Sequence, residues 1–471
     1  MKENNGDSDK SRGLFKNGFD LHSFVFIFSF LIIAVLLTYV VPAGQFDRVV
    51  NDMGQEVVVP GTYRQVEQSP VSLPGMFVSV VTAFREQADV IFCILFAYCF
   101  MGVLIRAGVF DVIIKIAIRK LKHRVQLIFP VITLLFALMG SVAGLAEETF
   151  GFFPVCICLA VALGYDEIVG GSIVYLAVFT GFASATFNPY TIGVAQSIAE
   201  VPMYSGLGYR VICFVLFYVL LITYVMVYAK KIKADPRKSL MYDEKRLQEK
   251  MNEADIASAR LSLSQWLNLA LLLVVLVAIV AGAMLEGWYI AEISALFLAA
   301  TILAGFIAGL KPNEIANHFV SCGGETMFSL LAIGLSNAIC VVMNTGRITD
   351  TVVYAAAAML KNTSGAIGAV AMLLVQNLLN FFIPSGPGQA AVTMPIMTPL
   401  ADLVGVSRQT AVLAFQFGDG YSNIFWPTMV FMMCGIMKIP VKKWYKFMAP
   451  LFGLMFALQV VLIVVAVAIG Y

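Results

Sequence analysis

The sequence predicts an all-α polytopic membrane protein with about nine transmembrane helices and two re-entrant hairpins in two inverted-topology halves. Three observations lead there. Of 471 residues, 60% are hydrophobic and 13% charged, where a soluble domain carries about 25% charged. Apolar runs of spanning length recur from residues 21–41 to residues 451–470, and about 20 such residues cross a bilayer core of about 30 Å. The second half of the chain repeats landmarks of the first at a near-constant spacing.

In chain order, residues 1–20 are polar and lack a small-residue cleavage site, so they read as a cytoplasmic tail and not a signal peptide. The first half is residues 21–228. Its first helix ends near Pro42, and the polar stretch 43–72 contains VVVPGTY, an extended flap. Residues 73–84 fit a short surface helix, and residues 89–109 a full span. In FDVIIKIAIRKLK, Asp111, Lys115, Arg119 and Lys122 share one helical face, with Ile113, Ile114, Ala117, Ile118 and Leu121 opposite. That is an interfacial helix, and its basic residues, with Arg124, place it in the cytoplasm.

Residues 125–163 hold two apolar arms around a polar centre, GSVAGLAEET. Arms of about 15 residues reach only about 22 Å as helix, so a re-entrant hairpin fits better than two crossings. The helix at 168–199 is broken by FASATFNPYT, where Pro189 removes a backbone donor. Residues 210–228 cross again. A charged linker at 229–265, with helical stretches around 242–251, divides the chain. The second half, 266–471, carries a second hairpin at 364–404 and a second broken helix at 407–437.

The repeat is read from matched positions: Asp111 and Asp350 lie 239 apart, as do Lys122 and Lys361, while Pro189 and Pro427 lie 238 apart and Pro154 and Pro395 lie 241 apart. With the N-terminus inside, an odd number of spans separates the copies, so the second is inverted. Lys438, Lys442, Lys443 and Lys446 then fall inside, and the C-terminus outside.

Inverted repeats with broken helices point to a secondary transporter, because backbone freed inside a membrane is tolerated where it lines a cavity or binds something. The candidate residues follow from the breaks. Ser141, Gly144, Glu147, Glu148 and Thr149 surround the first hairpin tip. Asn380, Ser385, Gly386, Gly388, Gln389 and Thr393 surround the second. Ser184, Thr186 and Asn188 lie at the first break, and Asp419, Ser422 and Asn423 at the second. Glu147, Glu148 and Asp419 are the acids expected deepest in the bilayer, where a charge costs at least about 2.5 kcal/mol and normally faces a cavity or a partner. Hairpin-tip amides and hydroxyls suit a carboxylate, while Asp419 with Glu147 or Glu148 suits a positive charge. The bland readings are close packing for each Gly and Ser, capping for the glutamates, and a structural tie for Asp419. Trp288 and Tyr289 read as interfacial anchors. The eight cysteines read as packing residues, and a net charge of +2 gives no reason to expect a nucleic-acid partner. No cofactor or structural metal is expected. The coupling ion would be Na+ or H+, with Asn188 and Asn423 the candidates for Na+.

TFNPYTIGVAQSIAEVP (186–202), IPSGPGQAAVTMPIMTPLADL (383–403) and QFGDGYSNIFWPT (416–428) resemble the YfcC family, labelled as basic amino acid antiporters and grouped with the anaerobic C4-dicarboxylate carriers in the ion transporter superfamily. The resemblance covers nearly the whole chain. It implies a bacterial inner-membrane protein, a homodimer, an elevator-type motion, and substrate and ion held at the hairpin tips and broken helices. Dicarboxylate symporters of the superfamily carry Ser-Asn-Thr at each tip. This chain has GLAEET and PSGPGQ instead, a departure that weakens the carry-over of a dicarboxylate substrate and supplies acids that could meet an amino group, Na+ or a proton.

Two other classes fare worse. The FGDG of an intramembrane aspartyl protease would need glycine at Gln416, and neither HExxH nor GxSxG occurs. A channel shares inverted repeats with some carriers and would be told apart by its far larger turnover.

Overall fold

The computed structural model describes residues 23–50, 56–121, 128–244, 259–360, 363 and 365–471. It is helical apart from a small flap. Among the described residues, five helices are long and apolar enough to cross a bilayer: Ala88–Arg106, Leu207–Ala234, Ile290–Ile307, Pro312–Thr345 and Val441–Ile469. Ser23–Val40 and Leu263–Leu285 are apolar as well. The latter starts on a capping box, with the Gln265 amide donating to the Ser262 hydroxyl and the Gln265 side chain accepting from the Ser262 amide.

Each half runs through the same order. A spanning helix (Ala88–Arg106; Pro312–Thr345) leads to a shorter one (Val109–Leu121; Thr349–Leu360). A hairpin, an interrupted helix and a final long helix follow. Hairpin 1 has arms Ile128–Leu138 and Phe153–Ala162, of 11 and 10 residues. These reach only about 16 Å, half a bilayer core. Hairpin 2 has arms Gly365–Asn380 and Gly386–Val404. The first interrupted helix is Glu167–Ala183, a break, a π-turn at Pro189–Gly193 and a helical turn at Val194–Ile198. The second is Arg408–Ser422, a break, then Pro427–Met437.

Each interrupted helix packs between the arms of its own hairpin, and the two interrupted helices pack on one another. Outside this unit, Pro312–Thr345 packs on Ser23–Val40 and on the amphipathic helix Leu73–Glu86, while Ala88–Arg106 packs on Ile290–Ile307. Leu73–Glu86 begins at Ser72, whose hydroxyl accepts the Gly75 amide, and buries Met76, Ser79 and Ala83.

The flap is two short antiparallel ladders, Gly44–Gln45 with Arg64–Gln65 and Arg48–Val50 with Glu56–Val58. It is bound to Thr349–Leu360, some 300 residues on: Arg48 pairs with Asp350 at 2.7 Å, the Phe46 amide donates to the same carboxylate at 3.0 Å, and Tyr63 stacks on Tyr354 at 4.0 Å. At the opposite end, Asp166 caps Glu167–Ala183 and accepts from Tyr228 and Ser239, so the start of the linker is tied to the first interrupted helix. Residues 240–244 form turns and a bend. The rest of the expected linker helix, the N-terminal tail, and Lys122, Arg124 and Lys361 lie outside the described residues.

Candidate functional site

At the tip of hairpin 1 the helix loosens into a π-turn, Met139–Ala143, and reverses at Gly144, whose φ of +68° favours glycine. A β-carbon there would also stand 2.4 Å from Asn188 Oδ1. Asn188 sits at the first break, where its Oδ1 accepts the Tyr190 amide (2.9 Å) and the Thr191 amide (3.2 Å). Its Nδ2 donates to the Gly140 carbonyl at 3.4 Å. Ser141 completes the clasp: its hydroxyl donates to Ser184 O at 3.1 Å, and its carbonyl accepts the Thr186 and Phe187 amides at 2.9 and 3.2 Å. Ser141, Ser184, Thr186 and Asn188 are all buried and join hairpin to broken helix. Thr149 turns inward, donating to Ala146 O at 2.6 Å.

Arg210, fully buried, finishes this break. Its guanidinium donates to the carbonyls of Thr186 (3.1 Å), Tyr204 (3.2 Å) and Ser205. An arginine presents five donors spread across a rigid planar fork, which reaches separated carbonyls that the three donors of a compact lysine ammonium cannot span. Arg210→Lys is expected to lower the thermal unfolding midpoint of the purified protein and Arg210→Met to lower it further, each carbonyl left unmade costing about 1–3 kcal/mol. A melting curve read by tryptophan fluorescence checks it.

Hairpin 2 turns at Pro384-Ser385, where the Ser385 hydroxyl accepts the Gly388 amide and starts the second arm. A chain of side-chain bonds crosses between its arms. Gln376 Nε2 donates to Thr393 Oγ1 at 3.0 Å, Gln389 Nε2 to Gln376 Oε1 at 2.7 Å, and Asn380 Nδ2 to Gln389 Oε1 at 3.2 Å. The same Asn380 Nδ2 donates to Asp419 Oδ1 at 2.8 Å, carrying the chain to the second broken helix. Beyond Asp419 the helix ends, and its carbonyl accepts from Ser422 Oγ (3.1 Å) and Asn423 Nδ2 (2.7 Å).

Both tips and both breaks meet at one cavity of about 260 Å3. Of the residues expected at the site, Gly144, Glu147, Glu148, Ser385, Gly386, Asp419 and Asn423 line it. Ser141, Thr149, Ser184, Thr186, Asn188, Asn380, Gln389, Thr393 and Ser422 lie behind it as the supporting bonds just described, and Gly388 faces another cavity. Glu148 is braced by the Ala146 amide at 2.9 Å. The Cβ position of Gly386 is 3.3 Å from Asp419 Oδ2, so the tip of hairpin 2 sits on that carboxylate.

The cavity wall also includes Glu86, Asp89, Tyr190, Thr191 and Tyr289. Tyr289, expected as an interfacial anchor, packs on Tyr190 with ring centroids 5.2 Å apart, and the Tyr190 hydroxyl donates to Trp288 O at 2.9 Å. No signal in the sequence separates a membrane-edge tyrosine from a cavity tyrosine. Gln376, which is 1% exposed, carried a signal that was available: an amide in an apolar hairpin arm needs a partner. Among the described residues, no group of three or more His, Cys, Asp or Glu side chains is placed to hold a metal ion. Asn188 spends its Oδ1 on two amides, whereas Asn423 reaches the cavity.

The family described as "C4-dicarboxylate anaerobic carrier" (DcuC) matches residues 21–468. A relative from Escherichia coli K12, named "Putative basic amino acid antiporter YfcC", is 33% identical over 95% of this chain and 96% of its own. A Haemophilus influenzae protein is 30% identical over 95% of this chain and 97% of its own. The YdaH transporter of Alcanivorax borkumensis aligns with 96% of this chain and 99% of its own at 15% identity and a TM-score of 0.43, too distant to bear on the site. The chain is a membrane transporter and not an enzyme, and it belongs to the DcuC, or C4-dicarboxylate anaerobic carrier, family.

Proposed function

We propose that the protein is a secondary active transporter of a small carboxylate-bearing metabolite, an amino acid and in particular a basic one, moved by antiport. The observation that carries this reading is the charge of the central cavity. Its wall holds Glu86, Asp89, Glu147, Glu148 and Asp419 and, among the described residues, no lysine, arginine or histidine. Such a wall suits a cationic substrate and repels a dianion, while the backbone and hydroxyl of the Ser385-Gly386 tip suit a single carboxylate. The name of the Escherichia coli relative points the same way.

The second reading is a C4-dicarboxylate or other organic anion, which the family's name favours. It requires Na+ or H+ to neutralise the acids as the anion enters. In either case the hairpins and interrupted helices form the body that moves, in an elevator cycle, against the outer helices of a homodimer. The protein sits in the inner membrane of a bacterium with its N-terminus in the cytoplasm and its C-terminus outside, an orientation supported by the lysines at 438–446.

The test is counterflow in liposomes, with labelled arginine and labelled succinate each run against its own unlabelled pool. Arginine exchange without succinate exchange is expected. Succinate exchange alone would replace the amino acid reading with the second one.

A further inference from the structure

A second and larger cavity, of about 650 Å3, opens between the flap and hairpin 2. Its wall carries four charged side chains. Arg48 and Asp350 neutralise one another at 2.7 Å. Arg347 and Glu56, both exposed, have no ion pair or side-chain hydrogen bond among the described residues. The cavity adjoins the central one. Ser385 lines both, and a small intervening cavity of about 120 Å3 shares Cys340 with the outer space and Glu147 with the inner.

Arg347 follows the long helix Pro312–Thr345 in a left-handed conformation, φ +55°. This is a helix-end position that suits glycine, so an arginine there is held at a backbone cost. Its backbone is also fixed from outside, because the Gly44 amide of the flap donates to its carbonyl at 2.9 Å. The result is a guanidinium with no partner among the described residues, carried on a fixed stretch of backbone in the cavity next to the acid-lined site.

Resting on the transporter reading above, we infer that the flap cavity is a loading site where Arg347 takes the carboxylate of an incoming amino acid before it passes the tip of hairpin 2. Glu56 on the facing wall then meets the ammonium group. A zwitterion fits this pair of charges, and a dianion meets two acids with one free cation. The site accounts for how a carboxylate approaches a central cavity whose own wall repels it.

Cys340, half-buried on this wall, gives a readout that needs no transport. In a Cys158→Ser background, the alkylation rate of Cys340 by iodoacetate would be divided by its rate with neutral iodoacetamide, and that ratio compared with a free thiol. Arg347 is expected to raise the ratio about tenfold in the unaltered site. R347G, which suits the backbone and removes the charge, should lower it about tenfold, and R347K should keep most of it. L-arginine or L-leucine should slow the labelling in the parent and in D419N but not in R347G, and succinate should protect less. A ratio unchanged in R347G overturns the assignment. So does a lack of protection by either amino acid, or stronger protection by succinate. Protection without counterflow would reject amino acid exchange and keep the site; counterflow without protection would do the reverse.

Discussion

Asp419→Asn is expected to cut exchange about a hundredfold while leaving yield and thermal stability unchanged. The carboxylate is 1% exposed, holds one bond from Asn380 at 2.8 Å and has no cationic partner among the described residues. Burying such a charge costs free energy, so its neutral isostere does not destabilise the fold. What the substitution removes is attraction for positive charge at the cavity wall. A unit charge about 4 Å from a carboxylate is worth about 4 kcal/mol at the dielectric of a partly buried site, and losing two-thirds of it is about a hundredfold. Asp419→Glu is expected to fail as well, for a different reason. A β-carbon added at Gly386 would stand 3.3 Å from Asp419 Oδ2, so the tip of hairpin 2 lies close over the carboxylate, and the extra methylene of glutamate displaces that carboxylate from its bond with Asn380. Counterflow in liposomes, normalised to folded protein by size-exclusion chromatography, measures both. Full exchange by Asp419→Asn would remove the carboxylate from substrate or ion handling and leave it a tie between hairpin and helix.

The breaks in the helices were legible because they are local events. Pro189 and Pro427 each stop a backbone ladder, and a polar Gly-rich centre between short apolar arms leaves few alternatives to a turn within the membrane. Helix ends set by charge were read less well. Lys230, Lys231 and Lys233 suggested a linker from 229, yet the helix continues to Ala234 and stops at Asp235-Pro236, since lysine is a good helix former and the residue before a proline is not helical. The division of labour at the site could not be read locally at all. Ser141, Ser184 and Ser385 look the same in sequence, yet Ser141 spends its hydroxyl on the hairpin-to-helix clasp, Ser184 donates its own to the Thr180 carbonyl one turn back, and Ser385 lines three cavities. Arg210, Gln376 and Tyr289 were missed because their roles depend on carbonyls, amides and rings brought from elsewhere in the chain. The flap's anchor on Asp350 depends on a partner 304 residues away.

Gly420→Val is expected to abolish the folded protein, the largest structural effect of any single substitution proposed. Gly420 lies where the two interrupted helices cross, and a β-carbon there would stand 2.4 Å from the backbone nitrogen of Ala183 and 2.5 Å from its α-carbon. These are main-chain atoms of a helix gripped on both sides by hairpin 1, so no side chain can rotate away. Gly418 bears the same relation to hairpin 2, its β-carbon position being 2.6 Å from Gln376 Cβ and 2.9 Å from the Asn377 amide nitrogen. One glycine thus lets Asp419's helix approach the first half, and the other lets it approach the arm that supplies Asn380. Forcing these helices apart opens the central packing and strands Asp419, Asn380 and Gln376 without partners, each a cost of about 1–3 kcal/mol or more. Gly208→Ala is the matched control: no atom lies within 4 Å of its β-carbon position, and alanine gains up to about 1 kcal/mol of helix propensity over glycine. Detergent-solubilised yield and the monodispersity of the elution peak separate the two. A monodisperse, thermally stable Gly420→Val protein would mean that the two interrupted helices are not in contact at this crossing, and that the carboxylate between them is held by something other than their packing.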